Sequence, residues 1–198
     1  MYSKYSKDKV ILTDCDGVLL DWGHSFFQWM RARDYHPVEG AEKLYKIEEV
    51  FGRTRAVTKP LVRQFNESAW MKDLTPYRDA VKYVRKLHED HGYVFHCITS
   101  QSLDPKAREL RIENLEKVFG KGVFEVVTCL DCGADKDDAL EEYRDSDLYW
   151  IEDKPANADL GVDMGLDSIL LAHGHNVSYN GNATRVINWR EVYETITG

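Results

Sequence analysis

An α/β fold is what this sequence predicts: a doubly wound, mostly parallel, Rossmann-like sheet with a small helical cap inserted after the first strand. Three observations carry that expectation. β-branched and apolar runs alternate with stretches of helical spacing over most of the chain, as repeated βαβ units do. The runs end in, or are soon followed by, chemistry-bearing residues: Asp14 and Asp16, Thr99 and Ser100, Lys136, and Glu152 and Asp153. In open α/β sheets, ligands bind beyond the carboxyl ends of the strands. Between the first run and the next clear α/β unit, residues 31–75 show helical spacing and no alternation. The core is therefore expected to comprise residues 1–20 and 76–198, and the cap 21–75.

Each element follows from its local pattern. Val10-Ile11-Leu12-Thr13 reads as a buried strand running into Asp14-Cys15-Asp16-Gly17. Trp22, Phe26, Trp29 and Met30 then share one helical face. Most of these aromatics are expected in the core, with Trp22 held apart as a substrate contact because it lies so close to the carboxylates. Leu44, Ile47 and Phe51, then Leu61, Val62 and Phe65, predict two or three short helices forming a lid. Thr75-Pro76 is expected to start the next helix, with Thr75 as cap and Pro76 at the first position. Its stripe is Ala80, Val81, Val84 and Leu87, and His91-Gly92 ends it. Strands are expected at 93–99, 123–130, 147–151, 168–172 and 185–189, with helices at 105–119, from Lys136 through Tyr143, and at the end of the chain.

Bulk properties narrow the class. The chain has 198 residues, 43% hydrophobic content, 12% aromatics and a net charge of -8. One core plus a modest insertion fits that length. The charge argues against a stable nucleic-acid complex, which needs a basic surface. Residues 1–9 are polar and lysine-bearing without an apolar leader, and no apolar run approaches the roughly 20 residues of a membrane span. A cytoplasmic monomer or homodimer is expected. Cys15, Cys97, Cys129 and Cys132 read as reduced, packed thiols, because Cys129-x-x-Cys132 has no second ligand pair to complete a zinc site. His173-Gly174-His175 reads as loop.

The first motif carries the chemistry. Two carboxylates one residue apart repel, and burying them is costly unless a cation or hydrogen-bond donors compensate. Strand alternation lets Asp14 and Asp16 point the same way, and Gly17 permits a sharp departure. A hard divalent ion, Mg2+, is the expected partner.

The whole pattern resembles the haloacid dehalogenase-like superfamily, through Asp14-Cys15-Asp16-Gly17-Val18-Leu19, Ile98-Thr99-Ser100, Lys136 and Trp150-Ile151-Glu152-Asp153. That resemblance implies a phosphatase in which Asp14 is the nucleophile and forms an aspartyl-phosphate. Asp16 would protonate the leaving oxygen and then activate water. Mg2+ would be held by Asp14, the backbone carbonyl of Asp16, and Asp153, with Glu152 binding directly or through water. Thr99, Ser100 and Lys136 would hold the phosphate oxygens.

A closer resemblance is to the 5'(3')-deoxyribonucleotidases. It rests on the run from Asp16 to Trp22, Cys97-Ile98-Thr99-Ser100, Asp153-Lys154, His175-Asn176, Asn188-Trp189 and the helical insertion. It implies a nucleoside monophosphate substrate, with Trp22 near the base or sugar. Glu152, Cys15 and Trp22 depart from the side chains usual there. A sugar-phosphate or other small-metabolite phosphatase would share the core and differ in the cap. A polynucleotide 3'-phosphatase would need a cationic channel, a dehalogenase would lack the second acid, and a non-catalytic phosphate-binding module would not need every catalytic position filled. Lys106 reads as an exposed helix lysine rather than a phosphate contact.

Overall fold

The computed structural model describes residues 9–77 and 79–198. The polar segment read at 1–9 therefore lies, apart from Lys9, outside the described residues. Six strands form one sheet: β1 (Val10–Thr13), β2 (Val94–Thr99), β3 (Phe124–Cys129), β4 (Tyr149–Glu152), β5 (Asp167–Leu171) and β6 (Thr184–Val186). Their order is β3-β2-β1-β4-β5-β6 and every neighbouring pair is parallel. The chain winds outward from β1 through β2 and β3, then returns to β1's other side and winds outward through β4 to β6. That reversal creates a crevice beyond β1 and β4, where an open sheet of this kind places its ligand.

Alternation along β1 explains the two layers. Ile11 packs with Val84 and Leu87 of α4 (Ala80–Glu89), Leu115 of α5 (Pro105–Phe119) and Val192 of α8 (Trp189–Thr197). Val10 and Leu12 pack instead with Leu140 of α6 (Asp137–Leu140) and Met164, just past α7 (Pro155–Asp163). A residue step of one thus switches a side chain between the two cores.

The segment between β1 and β2 carries α1 (Trp22–Arg31), α2 (Ile47–Val50), α3 (Arg55–Asn66) and 3-10 turns at Ala41–Lys43 and Ala69–Lys72. Trp22, Phe26, Trp29, Phe51 and Phe65 stack and abut edge-on inside it, with Phe26 and Phe65 fully buried. Its two ends are tied together. Leu20 and Pro76 form an antiparallel bridge, Asp21 N donates to Thr75 O at 2.9 Å, and Tyr77 N donates to Leu19 O at 2.6 Å.

That pairing corrects the helix start expected at Thr75-Pro76. The two residues are extended and occupied with Leu20 and Asp21, so α4 begins only at Ala80. Asp79, just before it, does not cap α4 but accepts from Trp189 N at 3.2 Å and Arg190 N at 3.1 Å, serving the start of α8. The last expected strand is shorter for a related reason. β6 stops at Val186, Asn188 caps α8 by accepting from Glu191 N at 3.0 Å, and Trp189 is helical, its indole donating to Val18 O at 2.8 Å. β4 begins at Tyr149 rather than 147 because Asp147 has a positive φ of 55°, which no strand accommodates. The helix at 105–119 stands as expected, with Asp104 accepting from Ala107 N at 2.8 Å and Pro105 in the first turn. α7, for which no element was expected, also opens on a proline, Pro155.

Replacing Asp79 by Ala removes the two acceptors at the α8 start. A loss of about 1 kcal/mol is expected, lowering the melting temperature by roughly 2–4 °C in a domain of this size, as read by thermal denaturation.

Candidate active site

Asp14 follows β1 directly, and its amide donates to Ile151 O of neighbouring β4 at 2.9 Å. The chain then doubles back. Leu19 N and Leu20 N both donate to Cys15 O, at 2.8 and 3.0 Å, and Gly17 N donates to Leu20 O at 2.9 Å. Gly17 sits at φ 83°, and a Cβ there would lie 2.5 Å from Asp153 Oδ2. Only glycine satisfies both constraints, and its absence of side chain lets the end of β4 approach the end of β1.

Lys136, in the loop between β3 and α6, is 2% exposed and reaches between the two strand ends. Its Nζ lies 2.8 Å from Asp14 Oδ1 and 2.8 Å from Glu152 Oε1. Glu152, fully buried, commits both oxygens to protein donors. Oε1 also accepts from Asn157 Nδ2 at 2.6 Å, and Oε2 accepts from the amides of Asp153 and Lys154 at 2.7 and 2.9 Å. Among the described residues, Asp14, Glu152 and Asp153 form an acidic trio with ligand oxygens within 4.8 Å of one another.

Asp16 turns elsewhere. Arg111 of α5, fully buried, brings Nη1 to 2.7 Å from Asp16 Oδ1 and donates from Nη2 to Oδ2 at 2.9 Å. Its carboxylate is not part of the acidic trio. Thr99 is buried at the end of β2, and Ser100 Oγ donates to Ala134 O at 2.8 Å, pinning the loop that carries Lys136. Trp22 is half-buried, stacked on Phe26 at 4.5 Å, with its indole donating to Asn66 Oδ1 at 2.8 Å. Lys106 is exposed and paired with Glu109 at 2.9 Å, as expected of a solvated helix lysine.

Two features were not anticipated. The loop at 173–176, whose histidines were read as loop residues although His175-Asn176 entered the family resemblance, clamps the site from behind. His173 Nε2 lies 2.7 Å from Gly17 O, while His175 Nε2 and Asn176 Nδ2 lie 3.0 and 2.9 Å from Asp153 O. The usable signal was position, since the loop follows a further strand of the same sheet. Arg111 was the other omission. It shares a helical face with Ala107, Asn114 and Leu115, all buried, and a cation on such a stripe needs a buried partner.

Charge in the site is unbalanced. Burial, together with Glu152 and Asp16, pushes the Asp14 carboxyl up to about 7 despite Lys136. Asp153 is raised well above the usual carboxylate range by burial and by Glu152 and Asp14. For Glu152, burial is outweighed by Lys136 and the surrounding donors, and its value is lowered. Burial alone would lower Lys136, but Asp14 and Glu152 raise it. Three carboxylates against one lysine are a donor set that suits a divalent cation bound by oxygen.

The family profile described as "5' nucleotidase, deoxy (Pyrimidine), cytosolic type C protein" matches residues 8–198. The chain belongs to this family. It is a haloacid dehalogenase-like phosphatase of the nucleotidase kind. It is 27% identical over 195 residues to the uncharacterized 32.4 kDa protein in the Gp30-rIII intergenic region of Enterobacteria phage T4, covering 92% of this chain and 67% of that one. A predicted phosphatase from Clostridium acetobutylicum shares the fold, with a TM-score of 0.68 at 17% identity over 96% of this chain and 99% of the other. So does a haloacid dehalogenase family hydrolase from Deinococcus radiodurans R1 solved with bound phosphate and sodium, with a TM-score of 0.61 at 18% identity over 96% and 94%. Among the described residues, this nucleotidase-family chain has no helix long and apolar enough to cross a membrane.

The raised Asp14 value fixes a pH sign. The native state holds more protons than the unfolded state between about pH 4 and 7, so this group's contribution to stability falls as pH rises through that window. In EDTA, Asp14→Asn is expected to melt above the wild type at pH 8, with the gap closing toward pH 4. A divalent metal ion at about a hundredfold over its Kd should raise the wild-type melting temperature by roughly 5–10 °C at pH 8 and by less at pH 5. Asp14→Asn and Asp153→Asn should lose that rise.

Proposed function

We propose that this phosphatase hydrolyses nucleoside monophosphates, deoxyribonucleotides in particular, through an aspartyl-phosphate on Asp14 with Mg2+ bound. The observation that carries the reading is the placement of Asp14 at the strand reversal, with Lys136 Nζ 2.8 Å from its Oδ1 and Asp153 across Gly17. A carboxylate that could serve as nucleophile, a lysine cation and a metal-suited acidic set meet at one point.

Asp14, Asp153 and the Asp16 carbonyl would hold Mg2+, which supplies positive charge to the phosphoryl oxygens. Glu152, with both oxygens already accepting, acts as the anchor that aims Lys136 and the Asp153 backbone. Lys136 and the amides at Thr99 and Ser100 take the remaining phosphate oxygens. An Asp14 oxygen attacks phosphorus as the bond to the nucleoside oxygen breaks, and Asp16 gives that oxygen a proton. A phosphate monoester, whose second pKa is near 6, brings such a proton in its monoanion form. Asp16 then takes a proton from water as the water attacks the phosphoryl group, freeing phosphate and Asp14.

Residues 21–75 form the cap in this reading, hinged where Leu20 meets Pro76. Trp22 lies at its base, and its uncovered ring area is the surface offered to base or sugar. Stacking of a base on an aromatic contributes roughly 1–3 kcal/mol in single-strand binders. Tyr45 adds a second aromatic at the mouth, with its ring 5.0 Å from that of His175. The setting we propose is the cytoplasm, in keeping with four free cysteines.

The test is phosphate release from a panel of ribo- and deoxyribonucleoside 5'- and 3'-monophosphates beside common sugar phosphates, with Asp14→Asn as blank. Highest kcat/KM is expected on deoxyribonucleoside monophosphates, with loss on chelation and in the blank. A preference for sugar phosphates, or activity surviving Asp14→Asn, defeats the reading. Trp22→Ala should raise KM for nucleotides by about tenfold and leave KM for a minimal aryl phosphate nearly unchanged. Equal effects would make Trp22 a packing residue only.

A further inference from the structure

A buried chain of polar side chains runs from the insertion to Asp16. Trp22 Nε1 donates to Asn66 Oδ1 at 2.8 Å, and Asn66, the last residue of α3, is 3% exposed. Asn66 Nδ2 donates to Gln101 O at 2.8 Å, while Gln101 Nε2 donates back to Asn66 O at 3.2 Å and to Ala107 O at 3.2 Å. Gln101 Oε1 accepts from Arg111 Nε at 3.0 Å, and Arg111 Nη2 donates to Asp16 Oδ2 at 2.9 Å. Gln101 and Arg111 are both fully buried. The remaining contacts of the guanidinium are sulfur: Cys15 Sγ at 3.0 Å from Nη1 and Met71 Sδ at 3.6 Å from Nη2. Met71 lies in the turn that leads out of the insertion, so both the start and the end of that segment touch the chain of contacts.

The physical consequence turns on how few partners these groups have. A buried guanidinium needs its donors matched, and a buried amide that loses a partner is destabilising. Gln101 meets that demand on one side with Arg111 and on the other with Asn66, which belongs to the insertion. If α3 withdraws, the carbonyl and carboxamide of Gln101 lose Asn66 together, keeping only Cys132 Sγ and Ala107 O, and the oxygen that fixes Arg111 Nε is less firmly held. The fork on Asp16 then loosens without any direct contact between α3 and the carboxylate.

We propose that Asn66, Gln101 and Arg111 form a positioning relay that couples closure of the segment 21–75 to the orientation of Asp16, so that acid–base chemistry is competent only with the cap in place. This rests on the phosphatase reading above, in which Asp16 protonates the leaving oxygen. None of the three residues needs to touch substrate. The arrangement would keep water from being activated at Asp16 while the site is open.

The test uses leaving-group dependence, because a nucleoside alkoxide needs a proton to depart and p-nitrophenolate does not. Gln101→Leu cuts the relay and leaves the Arg111–Asp16 pair. Its first-turnover rate on a nucleoside monophosphate is expected to fall by about tenfold or more, part of the roughly 10²–10⁴-fold that general acid catalysis supplies. Its burst of p-nitrophenol from p-nitrophenyl phosphate should change by less than about threefold, and KM for both should move little. Asn66→Ala should act in the same direction, and the double variant should be no slower than the slower single one, since both cut one chain. Lys117→Ala, which removes a surface ion pair between α5 and Asp73 at 2.7 Å, is the control and should leave the ratio of the two substrates unchanged. Parallel losses on both substrates, or additive losses in the double variant, overturn the relay. Should Gln101→Leu fail to fold, the same substrate ratio in Asn66→Ala decides. Failure of the wild type to release phosphate from either substrate would instead overturn the phosphatase reading.

Discussion

The rest of the molecule depends on holding three carboxylates around one lysine in a buried space. Asp14, Glu152 and Asp153 come from the two adjacent strands at which the sheet reverses direction, and Lys136 reaches in from the loop after a third. Left to themselves these charges would repel or take up protons. Each is therefore braced: Glu152 by four donors, Asp153 through the carbonyl that His175 and Asn176 grip, and Gly17 by His173. The polar residues at the strand ends serve as this bracing or as its cargo.

The site remains short of positive charge even when fully braced: burial first, and then the neighbouring carboxylates, raise Asp14 to about 7 and Asp153 well above the usual carboxylate range. An enzyme that must bring a carboxylate nucleophile to an anionic phosphate gains from such a deficit, because a divalent ion is drawn in and neutralises both partners at once. Asp16 adds to that crowding but has a cation of its own, Arg111, which the other three carboxylates do not share. Two neighbouring aspartates thus acquire different environments, and different environments are what let two carboxylates do different jobs. The same arginine links Asp16 to Gln101 and, through it, to Asn66 at the end of α3.

Much of this was legible without coordinates. The βα alternation, the strand-end carboxylates and the unalternating stretch at 31–75 led directly to the doubly wound sheet with helices inserted between β1 and β2. Local signals failed where a residue's partner is remote. Thr75-Pro76 has the chemistry of a helix start, yet its backbone is taken up by Leu20 and Asp21 more than fifty positions earlier. Trp189 looks like the end of a strand, yet its indole is needed at Val18 O, and the helix it opens is served by Asp79.

What the sequence by itself determined was the set of chemical groups and the order in which the sheet would present them. Asp14, Asp16, Lys136, Glu152 and Asp153 declare themselves by their places after apolar runs, because period-two burial and short connections leave few other positions for them. Only the tertiary structure decided how those groups share their charge. That Glu152 spends its oxygens on Lys136, Asn157 and two amides, and that Asp16 turns to Arg111, depends on contacts between residues up to 95 positions apart. The hydrogen-bond partners of a buried carboxylate are set by which elements pack against it, and no local pattern in the chain records that choice.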